Sequence, residues 1–125
     1  MDSTKPLSFI VIGCAIEVHK ELGPGLLESV YEKALEYELK SKGLKVESQK
    51  SVPVMYKGAI ISNDLKLDLI VNDSLIIELK SVDTLQKVHY KQLLTYLKLT
   101  NKREGLLINF NEEVLKKGIH HVLNG

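Results

Sequence analysis

Residues 66–80 read Lys66-Leu67-Asp68-Leu69-Ile70-Val71-Asn72-Asp73-Ser74-Leu75-Ile76-Ile77-Glu78-Leu79-Lys80. Two apolar-rich runs flank three turn-forming residues, the pattern of a β-hairpin. With Asn72, Asp73 and Ser74 as a three-residue loop, Val71 faces Leu75. The pairing then continues with Asp68 opposite Glu78 and Lys66 opposite Lys80. One face of the ribbon carries Leu67, Leu69, Val71, Leu75, Ile77 and Leu79; the other carries Lys66, Asp68, Ile70, Ile76, Glu78 and Lys80. Opposed side chains lie about 4.5–5.5 Å apart at Cβ, so two carboxylates there repel unless a proton or cation lies between them.

That charged end has two readings. Hard divalent cations take carboxylate, water and phosphate oxygens. Asp68 and Glu78 supply such a pair, and Lys80, on the same face as Glu78, can hold a water and stabilise charge on a phosphate. The other reading is a solvated ladder in which Lys66 reaches Glu78 and Asp68 reaches Lys80, each pair contributing about 0–1 kcal/mol. A two-residue loop would shift the partners and undo both readings.

Outward from the hairpin, Gly and Pro punctuate the chain. Pro6 opens a helix whose apolar positions run from Phe9 to Leu22, and Gly23-Pro24-Gly25 stops it. A second helix spans about 26–42, with Leu27, Val30, Tyr31, Ala34, Leu35 and Leu39 at helical spacing and Gly43 as its stop. Residues 44–47 and 52–56 alternate as two further strands before the hairpin. Asp83 or Thr84 caps a third helix over 85–100. Residues 104–110 form a short buried strand, and 118–123 form either another strand or a helix. The order α-α-β-β-β-β-α-β-(β) predicts a mixed α/β (α+β) domain, with helices covering a central sheet and residues 1–125 as a single unit.

Composition narrows the function classes. The 125 residues are 44% hydrophobic and 26% charged, enough to bury roughly two thirds of the unfolded surface. Seventeen Lys and Arg against sixteen Asp and Glu give a net charge of +1, which excludes a polybasic or polyacidic tail, so any phosphate-binding face is local. The one cysteine, Cys14, excludes an internal disulfide and a multi-cysteine zinc site, and a reducing cytoplasmic setting is the default. Val11-Ile12-Gly13-Cys14 has the look of a lipoprotein cleavage box. Asp2 against Lys5 and a short apolar stretch make a poor leader, and a buried cysteine in an apolar helix is the simpler reading. No apolar run is long enough to cross a membrane.

Single residues carry paired readings. On a helical wheel Gln92 lies among Leu85, Val88, Tyr96 and Leu99, so the third helix buries it. Its amide then bonds either to backbone or into the acidic site. His89 is structural or supports the site. Lys87, Lys91, Lys98 and Lys102 share the opposite side, where they either track a phosphate backbone or are solvated. His19 contacts substrate or complements a helix C-terminus. Glu28 sits at the edge of the second helix's apolar stripe, and Tyr31 packs with its hydroxyl anchored. His120 and His121 show no zinc spacing.

Gly25-Leu-Leu-Glu28-Ser-Val-Tyr31, with 15–25, Asp68-Leu-Ile-Val71, Glu78-Leu-Lys80, Gln92-Leu-Leu-Thr-Tyr-Leu-Lys98 and 105–110 in order, resembles the GxxExxY family of small bacterial and archaeal proteins. That family looks like a compact branch of the PD-(D/E)XK nuclease superfamily. The resemblance implies a restriction-endonuclease-like core and a metal-dependent nuclease acting on DNA or RNA. It assigns Asp68, Glu78, Lys80 and Gln92 to catalysis. Mg²⁺ or Mn²⁺ would be held by Asp68, Glu78, the Leu79 carbonyl and Glu28, the last directly or through water. Lys66, Lys87, Lys91 and His19 are the expected substrate contacts. Leu65-Lys66 stands where the family has Tyr-Arg, so a cation is kept without the bidentate grip of arginine. A non-catalytic nucleic-acid-binding or regulatory module is the alternative, and a homodimer or protein partner would supply substrate choice.

Overall fold

The computed structural model describes residues 5–125. Asp2, part of the leader-like pattern, lies outside them. The first helix, α1 (Leu7–Leu22), starts at Pro6 and ends where Gly23 takes φ 71°. After the Gly-Pro-Gly turn, α2 (Glu28–Ser41) follows, with Lys42 as C-cap. Three strands come next: β1 (Val46–Tyr56), β2 (Ala59–Val71) and β3 (Leu75–Lys80). Helix α3 (Lys87–Thr100) leads to β4 (Glu104–Asn109), a 3-10 turn (Leu115–Gly118) and β5 (Ile119–Leu123).

One five-stranded sheet runs in the order β1-β2-β3-β4-β5. All neighbours are antiparallel except β3 and β4, which are parallel. A parallel pair needs a crossover, which α3 supplies. Gly105 makes room for it, since a Cβ there would lie 2.9 Å from a Leu93 methyl. Helices α1 and α2 pack with Leu69, Val71, Ile77 and Ile108 on one face of the sheet. Leu93 and Leu97 of α3 pack with Ile70, Ile76 and Leu107 on the other. The result is an α+β fold, a mixed sheet between helices, consistent with a restriction-endonuclease-like core.

The hairpin register is the expected one, Val71↔Leu75 through Leu69↔Ile77, with Asn72 and Asp73 both left-handed. Several expectations need correction. The two strands expected over 44–56 are one, β1, so three strands precede α3 instead of four. Short stretches of alternation do not reveal that a strand continues through a kink. The tail is a strand, paired to β4. Helix α3 is capped by Gln86, which forms a capping box with His89: the Gln86 N–H donates to His89 Nδ1 at 2.9 Å. His89 is thus tied to the helix start. Leu67, expected with Leu69, packs in the α3 cluster. Both β1 and β2 exchange faces near Gln49, a non-glycine residue with φ 51°. Beyond that point the β1–β2 ribbon outruns the sheet, leaving Met55, Tyr56, Ile60 and Ile61 each more than half exposed. Among the described residues no helix is long and apolar enough to cross a membrane. Cys14 is buried in α1, and burial pushes its thiol pKa up.

Candidate active site

Strand β3 is buried on both faces, as the middle strand of a covered sheet must be. Glu78 is its anomaly, a carboxyl only 5% exposed among Ile76, Ile77 and Leu79. The β2–β3 ladder stops at Leu69↔Ile77, one residue short of Asp68 and Glu78. Side chains replace the missing backbone bonds. The Leu79 N–H donates to Asp68 Oδ2 at 2.9 Å, and the Asp68 N–H donates to Glu78 Oε1 at 3.3 Å. The two acids therefore sit together in the gap where the strands separate.

Burial, then the charge of Asp68, then that of Glu28, pushes Glu78 up to about 8, against the opposing pull of the Asp68 N–H and of Lys80. A carboxyl in this state holds its proton at neutral pH unless a cation takes the proton's place. The solvated ladder is thereby overturned. Glu78 is not solvated, and among the described residues neither Lys66–Glu78 nor Asp68–Lys80 is an ion pair.

Lys80 ends β3 on the Glu78 face, half-buried. Its carbonyl accepts from the Phe110 N–H, on the β4 side. Since backbone groups alternate along a strand, the Leu79 carbonyl points the other way, into the gap beside Asp68. Two carboxylates and a carbonyl form a set of hard oxygen donors that suits Mg²⁺ or Mn²⁺. Glu28 opens α2, and its approach to the end of β3 is fixed by Ser81, whose Oγ donates to the Leu26 carbonyl at 2.6 Å. Tyr31 anchors the same turn: its hydroxyl donates to the Gly23 carbonyl and accepts from the Leu26 N–H, while its ring stacks on Phe110 at 4.6 Å. Glu28 is nonetheless exposed, and among the described residues no three His, Cys, Asp or Glu side chains converge. The expected three-acid set is therefore a converged pair with a third acid at its rim.

Gln92 corrects the helical wheel. It is exposed, because the buried stripe of α3 centres on Leu93 and Leu97 and leaves Val88 and Leu99 outside as well. Its Nε2 donates to the Tyr96 hydroxyl at 2.7 Å. Burial raises the Tyr96 pKa, and the charges of Glu78 and Asp68 raise it further. Lys66 lies beyond the last β2–β3 pair. Leu65 and Leu67 pack toward α3, which turns Lys66 to the opposite face from Lys80. Lys87, Lys91 and Lys98 are exposed on α3, and Lys102 reaches Asp73 at 3.6 Å. His19 Nε2 lies 2.6 Å from the Glu112 carbonyl, clipping the end of α1 to the segment after β4.

Three neighbours of the acids escaped the sequence reading. Tyr96 is four residues after Gln92, and Glu32 four after Glu28, so helical spacing was the available signal. Gln49, which donates to both Glu32 and Asp68, gives none. A cavity of about 850 Å³ between α1 and α2 is lined by Phe9, Cys14 and Glu38 and lies away from the acids.

No curated protein and no solved structure matches the chain. A family model, that of the PD-(D/E)XK nuclease superfamily, matches residues 5–122. That match spans nearly the whole chain, over a sheet whose splayed strands set Asp68 beside Glu78, Leu79 and Lys80: the chain belongs to the PD-(D/E)XK nuclease superfamily.

Proposed function

We propose that the protein is a divalent-metal-dependent nuclease hydrolysing phosphodiester bonds of DNA or RNA, in one domain over residues 1–125, and that it belongs to the GxxExxY branch. Nuclease membership is shared by the superfamily, whose nucleases generally use divalent metals. Gly25, Glu28 and Tyr31 support the branch. The observation that carries the reading is the buried Glu78 carboxyl held against Asp68 where two strands part.

Asp68, Glu78 and the Leu79 carbonyl would hold Mg²⁺ or Mn²⁺, with Glu28 reaching it from the rim. The ion would polarise a phosphate oxygen and acidify a water. Lys80 orients that water and offsets charge gathering on the phosphate. Gln92, steadied by Tyr96, holds the nucleophile or the scissile phosphate. Lys87, Lys91 and His19 are further substrate contacts, with His19 available once its bond to the Glu112 carbonyl opens, whereas Lys66, turned to the other face of the sheet, is not among them. A cytoplasmic setting and a homodimer or protein partner complete the reading.

A screen of mixed DNA and RNA with Mg²⁺ or Mn²⁺ tests it. Asp68→Ala, Glu78→Ala and Lys80→Ala should each abolish cleavage while keeping the native circular dichroism spectrum. Folded variants that cut at the wild-type rate would sink the assignment. One observation favours a second reading, a nucleic-acid-binding module that does not cut: the acids do not form a converged triad. Metal-linked stabilisation that depends on Asp68, with no cleavage of any tested nucleic acid, would select it.

A further inference from the structure

Gln49 lies in the middle of β1 with φ 51°, a left-handed conformation that a strand residue other than glycine rarely adopts. Its neighbours are in register, Ser48 with Leu69 and Lys50 with Leu67, while Gln49 and Asp68 between them do not pair. Here both strands exchange faces: Val46 and Leu69 pack toward α1 and α2, Val52 and Leu67 toward α3. The interruption thus falls opposite the one aspartate of β2 that enters the acidic gap. The carboxamide then spans three elements. Its Nε2 donates to Glu32 Oε1 of α2 at 2.7 Å and to Asp68 Oδ1 of β2 at 3.4 Å, one hydrogen for each. Asp68 Oδ2 is already fixed by the Leu79 N–H. With both oxygens engaged, the Asp68 carboxylate has one orientation.

We propose that Gln49 is a positioning residue of the acidic site. Its left-handed backbone opens the β1–β2 ladder at Asp68, and its carboxamide ties Asp68 to Glu32, so that the carboxylate stands ready beside Glu78. The inference rests on the metal-site reading above. An amide suits the position because it can donate to two carboxyl groups at once.

The test is Mn²⁺ affinity, read by electron paramagnetic resonance of the free ion, with metal-free melting and circular dichroism as controls. Gln49→Gly keeps the left-handed backbone without strain and removes only the amide. It should melt at or above the wild-type temperature and bind Mn²⁺ about tenfold more weakly, the size expected when a partner of a metal ligand is lost. Gln49→Val, which resists positive φ, should lose at least as much affinity. Wild-type affinity in Gln49→Gly overturns the inference and leaves the metal site standing. Weakened binding accompanied by loss of the native metal-free spectrum also overturns it, marking Gln49 as structural. If the wild-type chain binds no Mn²⁺, or binds it equally after Asp68→Ala, the metal-site reading itself fails and this inference goes with it.

Discussion

Glu78 carries the sharpest consequence at the residue scale. Its pKa is pushed from 4.5 to about 8 in the folded chain, chiefly by burial. Between those values the folded state keeps a proton that the unfolded state has lost, so metal-free stability falls as pH rises through the window. Melting temperature measured without metal should therefore decline from pH 5 to about pH 8.5 by more than in Glu78→Gln, where this contribution is flat. A divalent ion must displace the same proton. Mn²⁺ affinity should climb by about tenfold per pH unit below 8 and level off above it, measured by calorimetry. Equal affinity at pH 6.5 and 8.5 would show that binding displaces no proton from Glu78 in that range. This residue was legible as half of an opposed pair, because hairpin register follows from turn length. Its burial was not, since Ile70 and Ile76 on the charged face gave no hint that a helix covers them.

At the scale of elements, the Gly-Pro-Gly turn decides where Glu28 stands. Tyr31 holds that turn with two hydrogen bonds, on the Gly23 carbonyl and from the Leu26 N–H. Tyr31→Phe leaves both groups without their partner and should cost about 1–3 kcal/mol in urea unfolding, with the stacked ring on Phe110 kept. The anchored hydroxyl is readable from a tyrosine on an apolar stripe; its partners are not, because they lie in the preceding turn. Helix α3 illustrates the converse. Its periodicity predicted a helix of nearly the right length, but the wheel misplaced Gln92, Val88 and Leu99. A stripe containing Tyr, Gln and Val admits several centres until a sheet selects one.

At the scale of the whole molecule, the segment between β3 and α3 is tied back to β4. The fully buried Asn109 accepts from the Val82 N–H and donates to the Val82 carbonyl, at 3.1 and 2.8 Å. Gly118 presses on this clip: a Cβ there would lie 2.6 Å from the Asn109 carbonyl oxygen. Gly118→Ala should therefore destabilise by about 1–3 kcal/mol, read as a lower urea midpoint with unchanged slope. Local periodicity, turn chemistry and register determined the helices, the hairpin register that brings Asp68 and Glu78 to the same end, and an α+β fold, because each depends on residues close in the chain; the continued pairing expected of Asp68 with Glu78 does not form, since the strands part after Leu69↔Ile77. Tertiary structure alone decided that β1 and β2 exchange faces at Gln49, that Glu78 is buried beside the Asp68 backbone, and that Glu32, Gln49 and Tyr96 gather around the acids. Those outcomes depend on how separate elements pack, and packing is settled by contacts between residues that no spacing rule connects.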